Sequence, residues 1–469
     1  MSVVVGMKGE WDNEVIYDFS ASHGRNEIDY SIRNTINSSM GPDSPSSFKP
    51  GRYLQVESSL NADFSKSIQT ESFEEPVNVA GGLEYREESF TAYAGDEASW
   101  KVGPLASQGF GIGSNGFPGL APRNAGKDSR DSWAAYVDVE AYVNEDLLVT
   151  GAIRHENFSD FGSTTKGKIS SRLQVNDEWA VRGAISTGFK APTIGQANVR
   201  NVTTAFGTGG KLEDQATLPP TDPISVQKGG TTLTPEESVS YSLGLVGELE
   251  NGLFVTVDFF NIEVTDRIAT TSAFALTDED IAALIAQGVP DASSFASVKY
   301  FTNDFDTTTK GVDIVANYDM EMFGGDTKFS AAYNWTSTTV DKASDAISEA
   351  RQNMIENNLP PVRYSLTANH TNGDLRVLAR ASYFGGIFED HLDSELPING
   401  IGSEVTFDLE VGYQLNENIN VIVGAKNLFD EKPDANTQWD TEVAGATYPV
   451  TSPIGVNGGF YYLRGVYTF

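Results

Sequence analysis

The chain has 469 residues, no cysteine, 45 glycines and a formal net charge of −33. The lack of cysteine excludes a disulfide framework and cysteine metal sites, and the acidic balance argues against a nucleic-acid partner, because no basic patch could neutralise phosphates. The mean hydropathy is negative and no apolar run of about 18 residues occurs, which argues against a transmembrane helix but not against membrane-spanning strands.

Strict alternation of apolar and polar residues recurs along the chain and predicts about 17 β-strands. The first strand is expected at residues 2–10 and the clearest cases are 133–143, 238–245 and 404–415. The other alternating stretches, in chain order, are 147–157, 179–187, 253–266, 308–319, 326–338, 362–370, 374–384, 418–428 and 457–469.

The connections between these stretches alternate in length. The short ones are 144–146, 175–178, 250–252, 370–373 and 416–418. The long ones are 93–129, 188–235, 268–306, 341–360, 386–402 and 429–456. Short periplasmic turns and long extracellular loops are typical of outer-membrane barrels, whereas a soluble sandwich would rarely sustain this rule over so many strands. We therefore predict an all-β fold, an antiparallel transmembrane β-barrel.

Two long loops carry helix signals. Thr277 and Asp280 form a plausible capping box ahead of an apolar run. Residues 346–357 precede Pro360 and Pro361 and predict a second short helix. Neither segment is long enough to be a domain.

The last strand gives the direction of the chain through the membrane. It follows a long external loop, so it descends and places Phe469 at the periplasmic side. Counting back, residues 2–10 also descend, whereas single-chain bacterial barrels have an even strand number and begin with an ascending strand. Met1 is also followed by no signal-peptide pattern. We therefore expect part of the barrel to be missing upstream of Met1.

Aromatic residues on the outward register support the membrane interpretation. They fall near the outer or the inner ends of their strands, as two interfacial belts would. They are Trp133, Trp335 and Tyr383 at the outer ends and Trp179, Tyr413 and Tyr467 at the inner ends. Tryptophan and tyrosine are also ordinary strand formers, which is the alternative explanation for any one of them.

Several short segments carry a family resemblance. They are 159–162; Gly188, Phe189, Lys190, Ala191 and Pro192; 233–236; Asn427, Leu428, Phe429 and Asp430; and the terminal Phe469. In order and spacing they resemble the C-terminal barrel portion of TonB-dependent receptors, over essentially all of the chain. From the residues alone, Gly188 and Pro192 could simply end a strand, since proline removes a ladder donor, and a ligand or plug contact is the alternative.

The resemblance implies a fold and a cellular setting. The family barrel has about 22 strands and contains an N-terminal plug, and an inner-membrane TonB complex energises its transport. The resemblance makes residues 1–469 an incomplete barrel domain that lacks the signal peptide, the TonB box, the plug and the first strands. It places the protein in the bacterial outer membrane, among lipid and lipopolysaccharide.

Nothing in the sequence predicts catalysis. His23, His155, His370 and His391 are far apart and lack ligand spacing. No Ser–His–Asp set can be argued, because any chain of this size contains all three residue types. The glycine-rich run at 207–210 is expected in a loop and not between a strand and a helix. We therefore predict no enzyme, no cofactor and no metal.

Candidate binding residues fall into three groups. Five arginines lie on the inward register: Arg154, Arg182, Arg363, Arg376 and Arg380. The resemblance makes them partners of an acidic plug or an anionic ligand, and pairing with the inward carboxylates Glu404, Asp408 and Glu410 is the alternative. Aromatic residues of the external loops are candidate ligand contacts, with loop packing as the alternative: Phe206, Phe274, Tyr300, Phe301 and Trp439. Acidic loop residues could hold divalent cations that bridge lipopolysaccharide: Glu213, Asp214, Asp278, Glu279 and Asp280.

The leading functional hypothesis is an outer-membrane receptor for TonB-linked uptake of a scarce nutrient, such as a siderophore, vitamin or oligosaccharide. The alternative is a passive porin-like channel, which the length and the Gly-Phe-Lys-Ala-Pro segment disfavour. An adhesin is disfavoured by the aromatic belts and by Phe469, and an outer-membrane enzyme lacks an identifiable site.

Overall fold

The computed structural model describes residues 1–73, 75–108, 110–206, 212–344, 346–390, 397–435 and 447–469. Within these residues, one antiparallel sheet of 17 strands dominates, which confirms the predicted number and class. Its strands are β1 (Ser2–Glu10), β2 (Ile16–Arg33), β3 (Ser47–Ile68), β4 (Val77–Ala94), β5 (Gly126–Asn144), β6 (Leu147–Phe158), β7 (Gly162–Gln174), β8 (Trp179–Lys190), β11 (Glu236–Glu248), β12 (Leu253–Thr270), β15 (Phe301–Met322), β16 (Gly325–Lys342), β17 (Val362–Asn372), β18 (Leu375–Phe384), β21 (Glu404–Asn416), β22 (Ile419–Lys426) and β23 (Phe460–Tyr467).

The described chain also forms short strands and helices in its connections. The short strands are β9 (Asn201–Phe206), β10 (Leu212–Thr217), β13 (Phe274–Ala275), β14 (Ser297–Lys299), β19 (Ile387–Asp390) and β20 (Pro397–Ile401). The helices are α1 (Glu97–Trp100), α2 (Ile194–Asn198), α3 (Pro223–Gln227), α4 (Asp278–Ala286) and α5 (Glu349–Asn357). No helix in the described ranges is long and apolar enough to cross a membrane.

The large sheet is an up-and-down meander. Each of its strands pairs with the next one along the chain, so that β8 is followed by β11, β12 by β15 and β18 by β21. Among the described residues, no ladder joins β1 to β23.

The two faces of the sheet differ in chemistry. Leu243, Leu366 and Val423 lie on one register and are more than half exposed. The opposite register carries charged pairs, such as Arg182 with Asp258. An apolar face of this extent would be unfavourable in water and is suited to contact with lipid. The charged face lines the lumen. We call these registers outward and inward.

The connections on one side of the sheet are short, and we call this the turn side. They are 11–15, 69–76, 145–146, 175–178, 249–252, 323–324, 373–374 and 417–418. The connections on the other side, the loop side, are long with one exception. They are 34–46, 95–125, 159–161, 191–235, 271–300, 343–361, 385–403 and 427–459. The exception is 159–161, which joins β6 to β7 directly.

Asparagine side chains explain several of the tight turns. Asn144 accepts hydrogen bonds from the backbone N–H groups of Asp146 and Leu147 at 3.0 and 2.9 Å. Asn176 and Asn416 accept two such bonds each in their own turns. An asparagine that bonds the backbone two or three residues ahead reproduces the geometry of a turn. The sequence therefore encodes these reversals locally.

Both predicted loop helices are present. The capping box is confirmed, because Thr277 and Asp280 exchange side-chain and backbone hydrogen bonds at the start of α4. The second helix begins three residues later than predicted, at Glu349, because the Ser348 side chain caps its first turn.

Two loops fold together on the loop side into a small unit, which we call the two-loop cap. It consists of β9, β10 and α3 from the β8–β11 connection and β13, β14 and α4 from the β12–β15 connection. β10 pairs antiparallel with β9 and parallel with β14, and β14 pairs antiparallel with β13. The buried core of the cap comprises Val202, Ala216, Leu218, Ile224, Leu284, Ala292, Phe295 and Val298. The cap therefore has its own hydrophobic core beyond the strands.

Candidate ligand-capture site and lumen

An aromatic cluster lies at the loop-side mouth of the lumen, and we call it the mouth cluster. It consists of Tyr30 on β2, Tyr53 on β3, Phe90 on β4 and Phe117 of the β4–β5 loop. The Tyr53 ring is 5.8 Å from Tyr30 and 5.5 Å from Phe90, and Phe117 is 4.9 Å from Tyr30. The three strand residues share the inward register of neighbouring strands. Half-buried aromatic faces of this kind suit a flat or apolar ligand surface.

The β8–β11 loop reaches the inner wall of the mouth. The Tyr53 hydroxyl donates a hydrogen bond of 3.1 Å to the Arg200 carbonyl. Helix α2 of the same loop contacts β4 and β5. Since β3 and β8 are separated by four intervening strands in the sheet, this loop extends inward from its own strands. It therefore narrows the mouth beside the aromatic cluster.

A second apolar feature lies between the β4–β5 loop and the two-loop cap. It is a cleft of about 410 Å³, lined on one side by Trp100 and Pro118 and on the other by Val202 and Phe295. Asn124 and Asp214 contribute polar groups to its wall. Pockets with mainly apolar walls and a few polar groups are typical of small-molecule sites.

The loop aromatics proposed from sequence have different surroundings. The Tyr300 side chain is only 2% exposed and donates its hydroxyl proton to the Lys228 carbonyl at 2.5 Å. Phe274 stacks on Tyr300 at 5.8 Å and packs against the cap core. Phe301 is the first residue of β15 and not a loop residue, because β12 and β15 extend beyond their predicted ends. Phe206 ends β9, but its side chain is outside the described part, as is Trp439.

Arg130 of β5 connects two of the segments that carry the family resemblance, 159–162 and 188–192. The sequence pattern did not predict this role. Its side chain is 6% exposed and donates to the Glu88 carboxylate at 2.5 and 3.1 Å. It also donates to the Pro192 carbonyl at 2.7 Å and lies 3.5 Å from the Asp160 carboxylate. Phe158 lies beneath the guanidinium at 5.3 Å. Arg130 thus ties the end of β8 to the β6–β7 turn.

The Gly188–Pro192 segment ends β8 and begins the loop. A Cβ on Gly188 would lie 2.7 Å from the Ser238 hydroxyl of β11. Phe189 packs edge-on against Phe158 at 5.9 Å, and Lys190 pairs with Glu236 at 3.2 Å. Ala191 lies between the strand end and Pro192. These contacts anchor the β8–β11 loop, which is one of the two roles considered from sequence.

Three of the five inward arginines have carboxylate partners. Arg154 pairs with Glu84 at 2.7 Å and with Glu156. Arg376 pairs with Glu410 at 2.6 Å, and Arg182 with a carboxylate on β12. Opposite charges on one face of neighbouring strands stabilise the wall modestly.

The other two arginines hydrogen-bond neutral groups. Arg363 donates to the Asn334 side chain at 3.3 Å, and Arg380 donates to the Thr367 hydroxyl at 3.0 Å. Within the described chain, no ion pair joins Arg380 to Asp408, the residue opposite it on β21, and the Asp408 carboxylate accepts the backbone N–H of Asn427 at 2.9 Å.

The Asn427–Asp430 segment anchors the last long loop. Asn427 and Asp430 both have positive φ, 50° and 58°, which asparagine and aspartate tolerate better than other non-glycine residues. The Asn427 side chain bonds both backbone groups of Glu431. The Leu428 N–H donates to a β21 carbonyl at 2.6 Å, and Phe429 is 70% exposed. Hydrogen bonding from the Gly459 N–H holds the pKa of Asp430 below its ordinary value.

The chain end and the acidic loops complete the predicted sites. Phe469 lies two residues beyond β23 and its ring packs edge-on against Tyr467 at 5.0 Å. The Asp280 carboxylate forms an ion pair with Lys228 at 2.5 Å and accepts a hydrogen bond in the capping box of α4. The Glu213 side chain and His391 lie outside the described part. Within that part, no group of three or more histidine or acidic residues could hold a metal ion.

Comparison with known proteins identifies the class of this fold. The family model described as TonB dependent receptor-like, beta-barrel, matches residues 5–428. The chain therefore belongs to the TonB-dependent receptor β-barrel family. Membership places it in the bacterial outer membrane, among receptors and not among enzymes.

Individual relatives are distant. The iron-regulated outer membrane virulence protein of Vibrio cholerae is 25% identical over 30% of this chain and 19% of its own length. The ferric enterobactin receptor PirA of Pseudomonas aeruginosa is 20% identical over 77% of this chain and 44% of its own. The chain thus spans less than half the length of these curated relatives. The crystal structure of the siderophore receptor PirA from Acinetobacter baumannii covers 100% of this chain, which covers 62% of it, with 15% identity and a TM-score of 0.63. At this identity the likeness shows the fold alone.

Proposed function

We propose that this barrel belongs to a receptor for TonB-linked uptake of a scarce nutrient, such as a siderophore, a vitamin or an oligosaccharide. The mouth cluster is the observation that carries the proposal. Binding residues are commonly presented on loops above a rigid scaffold, and here inward aromatic residues meet such a loop at the mouth. A ligand would be captured there before transport.

The alternative is a passive porin-like channel, whose loops constrict an open lumen. The structured loops favour a receptor over a passive channel. The two-loop cap has its own hydrophobic core, and the β8–β11 loop is hydrogen-bonded to the barrel wall at Arg130 and at Tyr53. We propose the mouth cluster as the aromatic surface that contacts the ligand. We also propose that residues 1–469 form part of a receptor barrel whose partners are outer-membrane lipid, lipopolysaccharide and the TonB complex.

Energised and passive uptake can be separated in the native bacterium. The gene would be deleted and restored, and uptake of radiolabelled ferric siderophores, cobalamin and oligosaccharides measured with and without a protonophore. The proposal expects one ligand class to be lost on deletion, restored on complementation and abolished by the protonophore. Gene-dependent uptake that persists under the protonophore would instead support the passive channel. A complementing allele with Tyr53→Ala and Phe90→Ala tests capture at the mouth, with outward Tyr85→Ala as control.

A further inference from the structure

A groove crosses the outward face of six neighbouring strands, from β12 to β21. Its volume is about 630 Å³. Each strand contributes a residue to a row of direct ladder partners that lies along the groove: Leu253, Tyr318, Phe329, Ala368, Ala379 and Leu409. We propose that the groove is a binding site for one acyl chain of an outer-leaflet lipid, which it holds more firmly than the flat parts of the wall do.

The shape of the groove comes from neighbouring side chains of different length. Ala368 and Ala379 form its floor, because their side chains are single methyl groups. Leu366 and Phe407 stand beside this floor and are 56% and 42% exposed. The wall is therefore concave here, where most of the outward face is covered by large side chains.

A row of tyrosines bounds the groove towards the loop side. Tyr333, Tyr364 and Tyr383 are direct partners in their ladders, two residues from Leu366 and its partners. The rings of Tyr364 and Tyr383 stack at 4.7 Å. A chain in the groove contacts the floor and this rim together, and each additional pair of atoms in contact adds a small dispersion attraction.

The chemistry of the groove excludes a polar occupant. The polar residues along it belong to the inward register, where Ser330 donates to the Asn317 side chain at 2.7 Å and Arg380 donates to Thr367 at 3.0 Å. Among the described residues that line the groove, the outward side chains are apolar except for Tyr318 near one end. The groove therefore fits a hydrocarbon chain.

The dimensions of the groove fit an acyl chain. The six strands are separated by five spacings of about 4.8 Å, which makes the groove about 24 Å long. Strands of such barrels are tilted by about 35–45°, so a line perpendicular to them rises by about 14–17 Å through the membrane. The hydrocarbon core is about 30 Å thick, so this rise is about the depth of one leaflet. A transmembrane helix of a partner protein would cross the whole core and does not fit this length.

The loop-side end of the groove indicates the leaflet from which the chain comes. Leu428 and Phe429 line this end, and Phe429 packs edge-on against Phe407 at 5.4 Å. Both residues belong to the segment that begins the last long loop, so the groove opens at the outer leaflet. The inference goes beyond the proposed uptake function, because the groove is on the face turned away from the lumen and takes no part in ligand capture.

Photolabelling of the complete protein in lipid vesicles tests the site. The probe is a phosphatidylethanolamine with a diazirine in the middle of one acyl chain, added as a small fraction of the vesicle lipid. Labelled residues are mapped by mass spectrometry of peptides. We expect the outward residues of β16, β17 and β18 to be labelled about fivefold more than those of β5 and β6, which corresponds to roughly 1 kcal/mol.

Variants that fill the groove should remove this enrichment. Ala368→Trp and Ala379→Phe each place a large side chain on the floor, and both side chains face lipid, where large apolar residues are ordinary in barrels. Folding should therefore be retained. Ala135→Trp is the matched control, because Ala135 is also outward, opposite Leu83, and lies outside the groove. This variant should keep the enrichment on β16, β17 and β18.

The other outcomes would overturn the proposal. Uniform labelling of the outward face would mean that the groove holds lipid no more firmly than the rest of the wall. Enrichment that survives both filling variants would mean that the groove is not its cause. The photoreactive residue p-benzoylphenylalanine in place of Ala381 tests the native membrane, where we expect lipid adducts. A cross-linked second copy or another protein would show instead that the groove is a protein interface.

Discussion

Arg182 and Asp258 form a doubly hydrogen-bonded ion pair across a strand that belongs to neither of them. β11 lies between β8 and β12, and Gly244 of β11 is the residue opposite both. A Cβ on Gly244 would collide with the Asp258 carboxylate and lie 2.9 Å from Arg182 Cγ. The absence of a side chain at Gly244 therefore leaves the space in which Arg182 and Asp258 form their ion pair.

Gly244→Ala should displace this ion pair and destabilise the barrel by about 1–3 kcal/mol, because the new methyl group overpacks the wall. Urea unfolding in lipid vesicles measures the change. Gly151→Ala is the control, since its Cβ would meet nothing within 4 Å. It should be neutral or stabilising by roughly 0.4–1 kcal/mol. Equal unfolding free energies for the two variants would contradict the explanation.

The same geometry recurs on β3, β4 and β5. The Tyr136 hydroxyl donates to the Asp63 carboxylate at 2.7 Å across Gly82, and a Cβ there would lie 2.6 Å from the Tyr136 ring. Inward glycines thus let long side chains bond to the second strand along, which extends cross-strand pairing beyond nearest neighbours.

Arg130→Gln should loosen the base of the β8–β11 loop. The substitution leaves Glu88, whose side chain is 17% exposed, without its cation, and breaking a buried pair in this way costs roughly 3–5 kcal/mol. We expect faster hydrogen exchange at 188–200. Arg130→Lys should restore the charge only in part, because one ammonium cannot reproduce the fork that reaches Glu88 and Pro192 together.

The control for Arg130 is an exposed ion pair. Lys101 and Glu97 are 2.8 Å apart, but their side chains are 50% and 66% exposed. Lys101→Gln should therefore change stability by no more than about 0.5 kcal/mol. If both substitutions had equally small effects on exchange at 188–200, Arg130 would not be the anchor of the loop.

The strands were predictable because a wall between lipid and a lumen imposes a period of two. Several turns and α4 were predictable because asparagine and the Thr277–Asp280 box act within a few residues of themselves. Local chemistry of this kind is readable in sequence. The strand ends near 268–306 were misplaced, because the ladder of β12 and β15 continues past bulges into residues without clear alternation.

The candidate site was harder to predict because its contacts are non-local. Arg130 bonds residues 42 and 62 positions away, and no motif marks it. The mouth cluster was not predicted, because Tyr30, Tyr53 and Phe90 lie on three different strands and Phe117 reaches them only through the folding of the β4–β5 loop. Tyr300 lies in a long loop, as predicted, but contacts with Phe274 and with the Lys228 carbonyl of the other loop bury it, and this joint packing has no local signature.

Acid should melt the two-loop cap before the large sheet. The Lys228 ammonium, 2.5 Å away, and the Thr277 N–H hold the pKa of Asp280 below its ordinary value. Because the folded pKa lies below the unfolded value of about 3.9, the stabilisation is present above that pH and is lost as the pH falls towards the folded pKa. Hydrogen exchange of α4 between pH 6 and 2.5 measures this, relative to β15.

Substitutions separate this carboxylate from its neighbours. Asp280→Asn should weaken the cap by about 1 kcal/mol at neutral pH and remove most of the pH dependence of exchange in α4. Asp278→Asn, at an exposed position of the first helical turn, should leave the pH dependence intact. A wild-type α4 whose protection is constant down to pH 2.5 would show that Asp280 does not hold the cap together.

Tyr53→Phe tests whether the β8–β11 loop rests on the mouth cluster. The substitution removes the hydrogen bond to the Arg200 carbonyl but keeps the ring between Tyr30 and Phe90. We expect a local loss of about 0.5–1.5 kcal/mol, seen as faster exchange and proteolysis at 194–200 with the stability of the strands unchanged. Tyr53→Ala removes the ring as well and should have a larger effect, extending to Phe117. Tyr85→Phe, on the outward register of β4, is the matched control and should leave the loop protected. If the loop exchanges identically in the wild type and in Tyr53→Phe, the Tyr53 hydrogen bond does not hold the loop, and its anchors are Arg130 and the contacts of Phe189 and Lys190.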